Sequence, residues 1–109
     1  MRKERFKRLM SSEKARECIN NNDYDELYDY FSSYAIMTYD ISQLTEFLYR
    51  CGINPLSYFN KAIPRYFLAD TDARTLGFGH SLTIPGRIER IGEDAFKETE
   101  GIKELYIEE

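Results

Sequence analysis

The sequence predicts an α+β chain, in which an N-terminal helical region of three or four helices packs against a short region built from a repeated strand unit. Apolar residues recur at helical spacing over residues 1–60, and from about residue 61 they change to short strands separated by turns. A chain of 109 residues has room for one hydrophobic core. We therefore expect residues 1–60 and 61–109 to pack together as one unit.

Two short helices are expected at the N-terminus. Ser11 or Ser12 offers an N-cap for the second of them, and the run of asparagines at 20–22 ends it. The apolar stripes are Phe6, Leu9 and Met10 in the first helix, and Ala15, Cys18 and Ile19 in the second. The two stretches could also form one continuous helix.

Two acidic capping boxes predict the starts of two further helices. Asp23 precedes Glu26 by three residues, and Asp40 precedes Gln43 in the same way. The predicted buried faces are Tyr24, Leu27, Tyr28, Phe31, Tyr34 and Ala35 in the first of these helices, and Ile41, Leu44, Phe47, Leu48 and Cys51 in the second. Gly52 supplies a C-terminal stop, and residues 56–59 form one more helical turn.

Two strands in the C-terminal part share one pattern. The segment 82–84 reads Leu-x-Ile, and so does the segment 105–107. The offset between these segments is the period of a leucine-rich repeat, in which each turn of a solenoid supplies one short strand and a return segment. An upstream half-copy, residues 63–67, parallels residues 91–96 with one residue fewer. The sequence thus predicts one and a half repeats.

The string from Leu82 to Ile107 resembles one full repeat of the BspA-like leucine-rich repeat proteins. The positions that match are Leu82, Ile84, Pro85, Ile88, Ile91, Gly92, Ala95, Phe96, Ile102, Leu105 and Ile107. Thr99 stands where that family often has Cys. The resemblance covers about residues 63–109 and implies a solenoid with these apolar side chains inside, capped by the helical region. It also implies a protein-binding surface, since members of the family bind other proteins at bacterial surfaces and in phage and bacterial cytoplasm.

The far end of such a solenoid is expected to be open. Only two glutamates follow the strand at 105–107, so Phe96, Ile102, Leu105 and Ile107 would be exposed there unless this acidic tail, a partner or a second copy of the chain covers them. Leu105 and Ile107 are therefore candidate partner-binding residues. Self-association through this end is expected as well.

Charge is arranged in blocks along the chain, although the net charge is only -4. Residues 1–16 carry seven basic and two acidic side chains, and residues 17–44 carry six acidic and no basic ones. Asp25, Glu26 and Asp29 lie in this acidic run and are candidate partner-binding residues. The alternative is that the run caps and solvates a helix, because carboxylates stabilise helix N-termini.

The acidic run suggests a second function class. Carboxylates at phosphate-like spacing can occupy the basic groove of an enzyme that acts on nucleic acid. Small acidic phage-encoded inhibitors of host nucleases, anti-CRISPR proteins among them, are similar in size and charge. The basic N-terminal block is a weak footprint for direct nucleic-acid binding, and no recognition motif accompanies it.

The nine tyrosines favour an interaction surface, because tyrosine supplies rigid amphipathic contact area. Tyr24, Tyr28 and Tyr34 are predicted core residues. Tyr30, and Tyr39 on the loop before the last long helix, are the candidate surface tyrosines.

No catalytic, cofactor-binding or metal-ligating pattern is present in the sequence. Cys18 and Cys51 are expected to be small buried hydrophobes, and His80 to be an exposed loop histidine. No segment has the length and hydropathy of a membrane span or a signal peptide, so we expect a cytoplasmic location. The sequence predicts a non-enzymatic protein–protein interaction module, with a nucleic-acid-mimicking inhibitor as the alternative.

Overall fold

The computed structural model describes residues 2–34, 38–71, 76 and 81–108. They form a mixed α+β fold. Its helices are α1 (Arg2–Met10), α2 (Glu13–Asn20), α3 (Tyr24–Tyr34) and α4 (Thr38–Arg50), followed by a 3-10 turn at Pro55–Ser57. The strands are β1 (Ala62–Ile63), β2 (Ser81–Ile84), β3 (Arg90–Ile91) and β4 (Glu104–Ile107).

Helices α1 and α2 are separate helices because Ser12 caps the second one. Its hydroxyl accepts a hydrogen bond from the Ala15 amide at 3.2 Å and donates one to the Leu9 carbonyl at 2.7 Å. The same side chain thus ends one helix and starts the next. An ion pair at 2.6 Å between Arg5 and the buried Asp40 ties α1 to α4.

Helix α3 begins as the capping box predicts, since the Asp23 carboxylate accepts a hydrogen bond from the Glu26 amide at 3.2 Å. Its buried residues, Tyr24, Leu27, Tyr28 and Phe31, were all predicted. Tyr34 was predicted to be buried, but it lies in the last turn of the helix and is exposed. That prediction is wrong, because none of the elements that the structure describes covers this position. Ala35 lies outside the described residues.

Helix α4 begins at Thr38, two residues before the predicted cap at Asp40. Ile41, Leu44 and Leu48 are buried as predicted. Phe47 and Cys51 are exposed, contrary to the prediction. The buried face of α4 is turned toward the polar residues Ser42 and Thr45, and Cys51 lies beyond the end of the helix at Arg50. Cys18 is buried as expected, and His80 lies outside the described residues.

The strands form two parallel pairs. Strand β2 pairs with β4 in a register that joins Leu82 to Leu105 and Ile84 to Ile107, which is the offset that the repeated pattern predicts. Strand β1 pairs with β3, and this register joins Ala62 to Arg90 and Ile63 to Ile91.

The turns that follow β1 and β3 have the same backbone conformation. Tyr66 and Asp70 have positive φ in the first turn, and Asp94 and Glu98 have it at the equivalent positions of the second. The two turns also stack, since the Tyr66 and Asp70 amides each donate a hydrogen bond to a carbonyl of the second turn.

The two copies therefore align without a gap. The offset that joins Ile63 to Ile91 also sets Phe67 beside Ala95, so the prediction that the first copy is one residue shorter is wrong. The sequence alignment matched the Phe67 ring with the Phe96 ring, and this match shifted the predicted alignment by one residue. In the structure the two rings instead pack against each other, with centroids 6.4 Å apart.

Helices and strands share one hydrophobic core. The Tyr28 ring on α3 packs against the rings of Phe59 and Phe67, with centroids 5.3 and 5.9 Å away. The Tyr28 hydroxyl lies 2.5 Å from that of Thr45 on α4, so its polar end is paired inside the core. Arg87, which follows β2, donates to the carbonyls of Phe59 and Leu56 at 2.6 and 2.8 Å.

Gly92 lies where the second copy passes closest to the first. A Cβ atom at this position would lie 2.4 Å from the Arg65 amide nitrogen and 2.6 Å from the Ile63 carbonyl oxygen. The Gly92 amide donates to that same carbonyl at 2.7 Å. Only glycine permits this approach without moving backbone.

Replacing this glycine is expected to destabilise the fold. Gly92→Ala forces the two copies apart, and we expect it to lower the free energy of unfolding by about 1–3 kcal/mol, the usual cost of overpacking. Urea denaturation followed by circular dichroism measures the change. Gly86→Ala is the control, because Gly86 is exposed and is not among the residues with positive φ. Equal stability of the two variants would contradict the expectation.

Candidate functional site

Strand β4 presents an apolar surface to solvent. Leu105, Tyr106 and Ile107 are 44%, 53% and 62% exposed, whereas Leu82 and Ile84 of the neighbouring strand are 4% and 1% exposed. Paired residues of adjacent strands lie on the same face of a sheet. Leu105 and Ile107 therefore continue the buried face of β2 outward, and they are exposed because no described element covers them.

The opposite face of β4 carries Glu104, Tyr106 and Glu108, all of them exposed. The Tyr106 hydroxyl donates a hydrogen bond to the Glu104 carboxylate. This bond raises the pKa of the Tyr106 phenol, because ionising it would bring two negative charges together. Leu105 and Ile107, on the first face of β4, were predicted as partner-binding residues. Tyr106 was missed, although its place between them in an alternating strand could have identified it.

Strand β3, which pairs with β1 in the other sheet, presents a further exposed apolar residue. Ile91 was predicted to face the interior of the repeat, but it is exposed, and the prediction is wrong. Ile91 pairs with Ile63 of β1, which is buried. The equivalent position is therefore buried on β1 and exposed on β3. Phe96 and Ile102, also expected to be exposed, are half-buried against the core.

A second surface lies at the start of α3. Asp25, Glu26, Asp29 and Tyr30, which the sequence predicted as partner-binding residues, line one open groove of about 540 Å³. Lys14, Asp23, Ser33 and Asn60 complete the lining. Leu105 and Ile107 do not line it, so the predicted residues belong to two different surfaces.

Most of the carboxylates in this groove already have partners inside the protein. Asp23 caps α3, and Asp25 accepts hydrogen bonds from the backbone and side-chain nitrogens of Asn60 at 3.1 and 2.7 Å. Glu26 forms an ion pair with Lys14, which holds the pKa of the Glu26 carboxyl below its usual value. Asp40 is buried in α4 and does not belong to this surface.

The two candidate tyrosines have different positions. Tyr30 is half-buried and packs edge to face on Phe31 and Tyr34, with ring centroids 6.0 and 5.2 Å away. Tyr39 lies in the first turn of α4, not on a loop as predicted, because the helix starts earlier than its cap pattern indicates. The Tyr39 side chain is not among those that the structure describes.

Neither a metal site nor a membrane span is found in the part of the chain that the structure describes. No group of three or more His, Cys, Asp or Glu side chains there could hold a metal ion. None of the described helices has the length and apolar character needed to cross a bilayer. Comparison of the chain with protein-family models, curated proteins and solved structures finds no match.

The environment of Asp29 in this groove disfavours its charged form. Partial burial raises the pKa of its carboxyl, and the charges of Asp25, Glu26 and Asp23 raise it further. Because this pKa is higher in the folded than in the unfolded chain, ionisation of Asp29 works against folding. The cost is present at neutral pH and disappears as the pH falls below both pKa values.

We therefore expect Asp29→Asn to raise the melting temperature at pH 7 and to leave it nearly unchanged at pH 3. Asp25→Asn is the matched control, since it has the same chemistry but weakens the carboxylate contacts with Asn60. That variant should lower the melting temperature at pH 7. Differential scanning calorimetry at both pH values measures the two effects, and a drop for Asp29→Asn at pH 7 would contradict the interpretation.

Proposed function

We propose that this chain is a non-enzymatic protein-interaction module that binds a partner protein through β4. The observation that carries the proposal is the exposure of Leu105, Tyr106 and Ile107 on a strand whose inner neighbour is buried. Leu105 and Ile107 lie on one face and Tyr106 on the other, and exposed apolar residues on a sheet edge are typical of an interaction site.

We further propose that residues 61–109 are coils of a BspA-like leucine-rich repeat solenoid, capped on one side by the helices. Two features support this assignment. The strands that carry the repeated Leu-x-Ile pattern pair in parallel and in register, and the turns after β1 and β3 share the same positive-φ positions. Stacked copies contact only their neighbours, and no described strand lies beyond β4. A cytoplasmic location belongs to the same proposal.

An inhibitor that mimics nucleic acid is the second candidate. The observation that favours it is that Asp23, Asp25, Glu26 and Asp29 all line one groove. It ranks second because three of these four carboxylates have partners within the chain. A mimic needs carboxylates that are free to meet the cations of its target.

Affinity capture from bacterial lysate tests the proposed function. We expect the protein to retain a partner that resists high salt, since an apolar contact is not screened by ions. The double variant Leu105→Ser with Ile107→Ser should lose that partner. Both side chains are largely exposed, so the substitutions do not open a cavity in the core.

Tyr34→Ser is the control, because it removes a different exposed ring from the helical region. It should retain the partner. Retention of the same partner by the β4 variant would overturn the proposal. A partner that elutes at moderate salt and is lost with Asp29→Asn and Glu26→Gln would support the nucleic-acid mimic instead.

A further inference from the structure

The outer edge of β4 has backbone groups that no described strand pairs. The Glu108 amide donates to the Ile84 carbonyl at 2.9 Å, so it points toward β2. Successive amides of a strand point to opposite sides, and the Leu105 and Ile107 amides therefore point to the outer edge. The sheet of β2 and β4 has two strands, so among the described residues no strand occupies that edge.

The side chains of β4 specify what a further strand must carry on the inner face. Leu105 and Ile107 partly cover Leu82 and Ile84, which they face in register. A strand added at the outer edge with apolar residues at alternate positions would cover Leu105 and Ile107 in the same way. Such a strand satisfies the exposed amides and the exposed side chains together.

The outer face specifies the charge of that strand. Glu104 and Glu108 flank Tyr106 on this face, and all three are exposed. Over residues 85–108 the chain carries seven acidic and four basic side chains. Opposite charges on neighbouring strands stabilise a sheet and like charges destabilise it. Lysine or arginine at the other alternate positions therefore complements β4.

A second copy of the chain is a poorer occupant of this edge in the register that pairs both of its inner-face apolar residues. The antiparallel register that sets Leu105 against Ile107 of the other copy also sets Glu104 against Glu108. Two carboxylate pairs would then lie directly opposite each other across the two-fold axis, which is unfavourable. In the register that pairs both inner-face apolar residues, the charge pattern therefore favours a different polypeptide.

We infer that the outer edge of β4 binds an extended segment of a partner protein in which apolar and basic residues alternate. This inference rests on the proposed function and names the chemistry of the partner. Main-chain hydrogen bonds to the edge supply affinity in such strand addition, and the alternating side chains supply specificity.

Synthetic peptides test the inference. The probe is acetyl-Lys-Ile-Lys-Val-Lys-Ile-Lys-amide, and the control peptide has Glu in place of every Lys. Fluorescence anisotropy should show the lysine peptide binding about tenfold or more tightly than the glutamate peptide. On saturation, hydrogen exchange at the Leu105 and Ile107 amides should slow by about tenfold or more, because a new strand hydrogen-bonds them.

Charge reversal on the strand provides the matched test. Glu104→Lys with Glu108→Lys should reverse the preference, so that the glutamate peptide binds more tightly. Glu89→Lys with Glu93→Lys changes the net charge equally on exposed residues outside β4 and should keep the original preference. Circular dichroism of both variants checks that they are folded.

Three results would overturn the inference: equal binding of the two peptides, a preference that follows net charge in both double variants, or a two-fold dimer through β4 in sedimentation equilibrium. The outcome is distinct from that of the proposed function. If the peptides fail while a captured partner still depends on Leu105 and Ile107, β4 is the interaction site and only the stated chemistry is wrong.

Discussion

Parallel pairing between a segment and its own copy is the constraint on which the rest of this structure depends. The register that joins Leu82 to Leu105 places equivalent side chains side by side, and no described residue covers the outer strand as the outer strand covers the inner one. The same holds for Ile63 and Ile91. The exposed surface is thus a direct result of the pairing that builds the core.

The charged residues of this protein are arranged differently in the fold than along the sequence. The acidic run from 17 to 44 is without basic residues in the sequence, but the fold brings Lys14 to Glu26 and Arg5 to Asp40. Basic side chains from α1 and α2 thus pair with carboxylates of α3 and α4. The acidic surface is smaller than the run from which it is formed.

Local sequence patterns predict the helices and strands of this fold well. They predict poorly which elements pack against one another. Asp23 was identified as a cap, and Ser12 as one of two candidates with Ser11, because capping is a contact within one turn of helix. The exposure of Tyr34 and Phe47 could not be derived in the same way, since it depends on which other element reaches that side of the helix. The repeated Leu-x-Ile pattern predicted the pairing of β2 with β4 because parallel register preserves side-chain pattern. The contact of Asp25 with Asn60 joins α3 to the chain beyond the 3-10 turn and has no local signal.

The turns that follow β1 and β3 carry conformational strain. Tyr66, Asp70, Asp94 and Glu98 all have left-handed φ without being glycine, at a cost of about 1–2 kcal/mol each. In the first turn, the amides of both strained residues donate to the second copy, and so does the amide of Leu68 between them. The second copy therefore holds the first in its strained shape. Neither turn is an independent unit, and the two copies should form and unfold in a single cooperative step.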